Sequence, residues 1–319
     1  MITESGINMK NPAVTNRFIQ LKKRHVDILF SGALMIPALF LTLVFILVPL
    51  VDSVIRSFLD FTVRNLISGK PGTWNNFNNY IKLFQDPKLG GAIIATLSFV
   101  VFVVVVQLLI GMVLALILNS NIKGVRFLRS IIMTPWVVPT VISALVWMWI
   151  FQPQYGLLKY IVSLFTGGSL TDFAILNSPG TALLGIGIAA LWKQIPLTTL
   201  LLLASLQNVP DDMLEAARID GASKVRTFFS IVLPFIKSVI NVTTSMAIIA
   251  NFKQFPLIWT MTGGGPSDST TTLAILSYRQ AFVSNDLGSG AATTTVWMLL
   301  MIIVIFLYNK IFGSSQIDD

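Results

Sequence analysis

GAIIATLSFVVFVVVVQLLIGMVLALIL, residues 91–118, is an apolar run of 28 residues without a single Asp or Glu. At about 1.5 Å of rise per residue a helix of that length exceeds the roughly 30 Å hydrocarbon layer of a bilayer. Five further runs flank it, at 28–51, 128–152, 181–205, 233–260 and 291–312. The chain as a whole is 54% hydrophobic and 11% charged, whereas about a quarter of the residues of a soluble domain carry charge. An all-α, polytopic membrane protein of six spans follows. The expected division is an N-terminal tail over 1–27, a transmembrane domain over 28–312 and a C-terminal tail over 313–319. The first run is too long for a cleaved signal peptide, and some 25 polar residues ending in Lys22-Lys23-Arg24-His25 precede it.

Six crossings put both termini on one side. With the termini inside, the inner face collects twelve basic residues, among them Lys22, Lys23, Arg24, Lys123, Arg126, Arg218 and Arg226, against seven outside. The positive-inside rule therefore places both termini in the cytoplasm of a bacterial cell. The net charge of +8 is explained by these flanks and implies no nucleic-acid partner. Trp147, Trp149 and Phe151, at the outer end of the third run, read as an interfacial aromatic belt. Pro37, Pro49, Pro135, Pro139, Pro196, Pro234 and Pro256 lie in or beside the runs, where freed carbonyls need other partners, as in a bundle that moves.

One inner segment, 206–232, is too structured to be a turn. Pro210 and Asp211-Asp212 open a helix with an acidic first turn, which its dipole favours, and Gly221 permits a sharp break. Small Ala216 and Ala217 beside Met213 and Leu214 would let a partner backbone approach, with Glu215 and Arg218 at the rim. The pattern Glu215-Ala216-Ala217, three residues ending at Asp220, Gly221, nine residues, then Ile231-Val232-Leu233-Pro234 resembles the signature loop of ABC importer permeases that receive substrate from a binding protein. The resemblance extends over about 28–312 and narrows toward the maltose-type carbohydrate branch. It includes FNNYIKLFQDPKL at 77–89, GVRFLRSIIMTPWVVPTVISALVWMWIFQPQYGL at 124–157 and NFKQFPLIWTMTGGGP at 251–266.

That resemblance implies a type I importer bundle and a coupling helix seated in a cleft of an ATPase subunit, with Glu215 paired to a basic residue there. It also implies two such ATPases carrying ATP and Mg, a second homologous permease, an extracytoplasmic solute-binding protein, a carbohydrate substrate and motion by alternating access. The chain itself would be no enzyme and would hold no cofactor or metal. Where the maltose permease has extra spans and a large outer domain, this chain has a six-span core and a modest outer loop.

Independently of family, a lysine at mid-span costs about 2.5 to 3.5 kcal/mol on insertion scales, so such groups face a cavity or a partner. Lys193 and Gln194 lie mid-way along the fourth run before Pro196. Asn251, Lys253 and Gln254 lie in the fifth before Pro256, with Asn251 and Gln254 expected on one helical face. The resemblance places Gln194, Leu197, Asn251 and Gln254 around the substrate, and amides suit hydroxyls because each both donates and accepts. Trp192, Phe252 and Trp259 admit either stacking on a sugar or helix packing. The lysines admit either a countercharge for an anionic substrate, or snorkelling by Lys253 and a carbonyl or partner-subunit contact for Lys193.

Other classes fare worse. The single histidine, His25, cannot serve a buried nucleophile, zero cysteines exclude thiol chemistry and disulfides, and Gly263-Gly264-Gly265-Pro266 lacks the lysine of a phosphate loop. Asn11-Pro12-Ala13 copies a water-channel tripeptide only once, ahead of the first run. An ion-coupled secondary transporter would show intramembrane acids or repeated halves. An importer of glycerol phosphate or a polyol remains open.

Overall fold

The computed structural model describes residues 32, 34–120, 123–167 and 174–313. The N-terminal tail, the start of the first apolar run and residues 314–319 lie outside the described residues. Four helices are long and apolar enough to cross a membrane, and two bent helix pairs bring the number to six among the described residues.

The chain divides into two units, 1–55 and 56–319. The described part of the first is span one, a helix that runs over Leu34–Arg56 with Pro37 and Pro49 inside it. Leucines, isoleucines and phenylalanines point outward all round it and none is buried. A helix apolar on every face satisfies its own backbone and needs only hydrocarbon outside.

In the second unit, span two (Pro87–Asn119) is the central post. It packs most extensively against span four (Ala182–Leu206) and also meets span five, and its side chains share hydrophobic clusters with those of span six (Leu287–Phe312). The contact with span four is close because it is built on small residues. A Cβ added to Gly111 would fall 2.8 Å from Thr198 Cγ2, and one added to Gly187 would fall 2.6 Å from the Phe102 ring.

The third run is not one straight span. Val125–Val137 and Thr140–Ile150 meet at 97°, and the hinge is Val138-Pro139. Proline cannot donate to the helix and pushes its predecessor out of the helical region, so Val138 sits extended at φ −63, ψ 131. Nor does the expected aromatic belt form as a unit. Trp149 is exposed, but Phe151 is buried and Trp147 packs between it and Trp192.

Span five also departs from its expected limits of 233–260. It begins earlier, at Lys224, passes through a π-helical stretch at Phe228–Val232, bends 67° after Pro234 and ends at Phe252. Pro256 then opens a separate short helix, Pro256–Thr262, at the position where a missing N–H is harmless. Gln254 therefore lies beyond the helix that carries Asn251, and the two do not share a helical face.

Away from the spans, a two-stranded antiparallel ribbon pairs Leu59 with Trp74 and Asp60 with Thr73. Asn79 donates to the carbonyls of Ser57 and Leu59 at 3.0 and 2.9 Å, and Gly288 N–H donates to Phe61 O at 2.8 Å. The first two bonds close the excursion 57–86 on itself, and the third ties it to the start of span six. Asp286 caps that span by accepting from Ser289 N at 3.0 Å, so it starts at Leu287 rather than 291.

The Gly-rich segment 263–272 is stapled rather than loose. Arg279 donates to Asp268 Oδ1 at 2.5 Å and to Gly263 O at 2.6 Å, and Lys88 lies 3.2 Å from Asp268 Oδ2. Gly264, at φ +101, leaves no room for a Cβ against Thr271 and Arg279. The hydrogen bond from Arg279, helped by Lys88 against partial burial, holds the Asp268 carboxyl below the usual carboxylate range. A carboxylate whose pKa is depressed by folding stabilises fully above its unfolded value, and loses that contribution as pH falls through the folded value. Amide exchange over 263–272, corrected for intrinsic rates, should stay slow from neutral pH down to about pH 4 and accelerate only below it. Asp268→Asn should raise exchange across the whole range. Equal protection in native protein and variant at neutral pH would disprove the staple.

Candidate functional site

Two places gather the residues singled out by sequence. The first is the helix Asp211–Ile219, entered through Pro210 and ended by Asp220, with Gly221 left-handed at φ +72. Its inner side is Leu214 and Ala217, three apart, set against a cluster of Leu202, Leu206, Val209, Val232 and Ile236 at the ends of spans four and five. Its outer side leaves Met213, Glu215, Ala216, Arg218 and Asp220 exposed, and Ile219 is 86% exposed. Val225 and Phe229 stand out beside it. An amphipathic helix anchored on one side, with alanine, isoleucine and carboxylates on the other, is an exposed knob rooted on the ends of spans four and five.

The second place is a cavity of about 250 Å³ between spans two, three, four and five. Gln194 stands at the midpoint of span four, about 18 Å from either end, and Asn251 is the last residue but one of span five. Their amides pair reciprocally: Gln194 Nε2 donates to Asn251 Oδ1 and Asn251 Nδ2 to Gln194 Oε1, both at 3.0 Å. Asn251 also donates to Ala247 O at 2.9 Å, which uses both of its N–H groups and leaves it buried behind the wall. Gln194 keeps one free N–H and one lone pair, and it faces the cavity with Leu197 and Gln254.

Lys193 lines the same cavity, and its ammonium meets the hinge of span three: Nζ donates to the carbonyl of Val138 and, at 3.4 Å, to that of Trp136. Carbonyls left without helical donors at the break between Val137 and Thr140 thereby find a cation. Lys253 is exposed in the turn after Phe252 and does not line the cavity. Neither do the three aromatics. Trp192 is set edge-on to Trp147 at 6.1 Å, Phe252 is buried among Val100, Val104 and Ile248, and Trp259 stacks on Phe255 at 5.7 Å.

Sequence reasoning missed several lining residues, notably Gln107, Thr198 and Thr243. Gln107 carried a usable signal, as the only amide in residues 91–118. The threonines carried none, because a hydroxyl that can bond its own helix is unremarkable in a span.

A bundle of broken spans around a mostly apolar cavity into which a few polar side chains project, with one exposed amphipathic helix rooted on its base, defines a membrane permease. Residues 107–316 match the family described as binding-protein-dependent transport system inner membrane component, and the chain belongs to it. The trehalose/maltose transport system permease protein MalF of Thermococcus litoralis is 36% identical over 282 residues, 88% of this chain and 92% of the relative. The sn-glycerol-3-phosphate transport system permease UgpA of Yersinia pestis is 34% identical over 84% of this chain and 89% of its own. The sulfoquinovosyl glycerol transport system permease SmoG of Agrobacterium fabrum is 32% identical over 91% and 92%. In fold, the chain is similar to a chain of a bacterial ABC transporter involved in the import of alginate, with a TM-score of 0.77 over 93% of this chain and 99% of the other at 19% identity. It is thus a type I importer permease, a transport subunit of the inner membrane.

Proposed function

We propose that this chain is one of two permease subunits of an ATP-driven importer that takes a carbohydrate, a di- or oligosaccharide, from an extracytoplasmic binding protein and releases it in the cytoplasm by alternating access. The observation that carries the reading is Gln194 in the wall of a mid-span cavity, held in place by its amide pairing with Asn251 behind that wall. It offers hydroxyl groups a fixed donor and acceptor at a depth where water is scarce. The three relatives named above, by their names, transport sugars or glycerol derivatives.

The cavity in this chain, about 250 Å³, falls below the roughly 300–1,000 Å³ of ligand pockets. A second, similar permease would supply the facing wall. Two ATPase subunits, holding ATP and Mg, would seat on the helix Asp211–Ile219 of each permease, with Glu215, Ala216, Asp220 and Gly221 at the contact; Ala217, expected there from the sequence, is buried on the bundle side instead. Closure of the ATPase pair would drive these helices together and reorient the spans, bending at Pro139 and Pro234. Both termini and this helix would face the cytoplasm, the side on which the basic residues concentrate. An anionic glycerol derivative is the second reading, favoured by Lys193 in the cavity wall, where no carboxylate bonds it among the described residues.

The test is ATP hydrolysis by the reconstituted complex against binding protein loaded with trehalose, maltose, sn-glycerol 3-phosphate or sulfoquinovosyl glycerol. Stimulation several-fold above the unloaded protein by a sugar supports the first reading, and by an anion alone the second. Solute movement by this chain without ATP, driven by an ion gradient, would overturn both.

A further inference from the structure

The inner side of the helix Asp211–Ile219 borders a recess of about 290 Å³. Span two ends there at Asn119 and span four at Leu206, and span five contributes Phe228 and Val232 of its π-helical stretch. The walls are graded. Leu116, Phe228 and Val232 form the part that lies along the spans, whereas Arg218 and Lys224 stand where the chain has left them. Among the described residues no carboxylate lines the recess, and neither cation is in an ion pair, although Glu215 precedes Arg218 by one turn of the same helix. Two unpaired cations beside an apolar wall are complementary to a ligand that is anionic at one end and apolar at the other.

The recess also lies at the depth where such a ligand is found. The helix Lys224–Phe235 is bent by 67° from Lys237–Phe252. Where the second of these crosses a bilayer near its normal, the first runs closer to the membrane plane. It turns Val225 and Phe229 outward in company with Lys224 and Arg226, all four exposed. Basic and apolar side chains together on a helix near the membrane plane mark the boundary at which head groups sit. Leu116 of span two is itself partly exposed, so the apolar wall continues onto the outside of the bundle.

We propose that this recess binds the head group of an anionic phospholipid from the leaflet that these span ends reach, the inner one on the orientation proposed above. Lys224 and Arg218 would hold the phosphodiester by charge-assisted hydrogen bonds, and the acyl chains would run out past Leu116. Basic pockets between spans near the membrane surface have this ligand chemistry. Free phosphate shares the charge but gains nothing from the apolar wall. A lipid seated here touches the exposed helix and the ends of three spans at once.

The test uses the full importer complex, stripped of lipid in detergent, and reads its unfolding midpoint as lipid is returned. Dioleoylphosphatidylglycerol is expected to raise the midpoint by several degrees, as a ligand of the folded state does. Dioleoylphosphatidylcholine and inorganic phosphate should leave it near its starting value. Arg218→Gln/Lys224→Gln should lose at least half of the rise, and Lys224→Arg, which keeps the charge, should retain it. Lys123→Gln/Arg126→Gln, which removes two cations outside the recess, should retain it as well. Phospholipid bound to the complex, counted by native mass spectrometry, should fall in the first double variant alone.

No rise in the native complex, an equal loss in both double variants, or a rise with phosphate alone overturns the inference. So does release of the ATPase subunits from Arg218→Gln/Lys224→Gln before lipid is returned, which would assign the two cations to that subunit. None of these readouts involves solute movement, so their failure leaves the carbohydrate reading standing, and failure of that reading leaves the lipid site untouched.

Discussion

Glu215→Lys is expected to abolish binding-protein-stimulated uptake and ATP hydrolysis while leaving the unfolding midpoint of the permease within about two degrees of native. The side chain is exposed on the outer side of the helix Asp211–Ile219, whereas that helix is held to the bundle by Leu214 and Ala217 on its other side. Reversing an exposed charge costs the isolated subunit little, since surface changes usually fall within about half a kcal/mol. At a seated interface the same change replaces a favourable pair with a like-charge contact and an unpaired charge, a loss of several kcal/mol. Co-purification of the ATPase with each variant, followed by uptake, measures the difference. Normal uptake by Glu215→Lys would show that force does not enter through this helix.

Asn251→Leu should have the second largest effect, and in both stability and transport. The substitution deletes three hydrogen bonds at once and leaves both polar atoms of Gln194 facing a leucine. A polar group stranded in this way costs about 1–3 kcal/mol, so the unfolding midpoint should drop by several degrees and uptake by well over tenfold. The double variant Gln194→Met/Asn251→Leu, apolar on both sides, should recover most of the midpoint and none of the uptake. That non-additivity is the signature of a coupled pair. Additive losses in the double variant would mean that the two amides work independently.

The sequence disclosed most of the architecture, because the bilayer imposes length and hydrophobicity so strongly that six apolar runs are legible without any tertiary information. It disclosed the helix around Glu215 for a similar reason, as acidic first-turn residues and Gly221 mark both of its ends. What escaped were the breaks. Pro139 and Pro256 were visible, but whether a proline kinks a span slightly or turns it through 97° depends on what takes up the freed carbonyls, and Lys193 is 54 residues from Pro139. For the same reason Gln254 was placed on the helix of Asn251 when the chain had already left it. The cavity was half legible: Gln194 and Asn251 declared themselves by cost, while Thr198 and Thr243 needed the packing to be seen.

The grip of Lys193 on the carbonyls of Val138 and Trp136 carries a mechanical consequence. Its side chain springs from span four and its partners belong to the elbow of span three, so neither can turn about its own axis alone. A swing of span four either drags the elbow with it or strips two carbonyls of their cation in an environment poor in other donors. The two act as one lever with its fulcrum at Pro139, a stiff crank beside a cavity whose walls on spans two and five are fastened to span four as well.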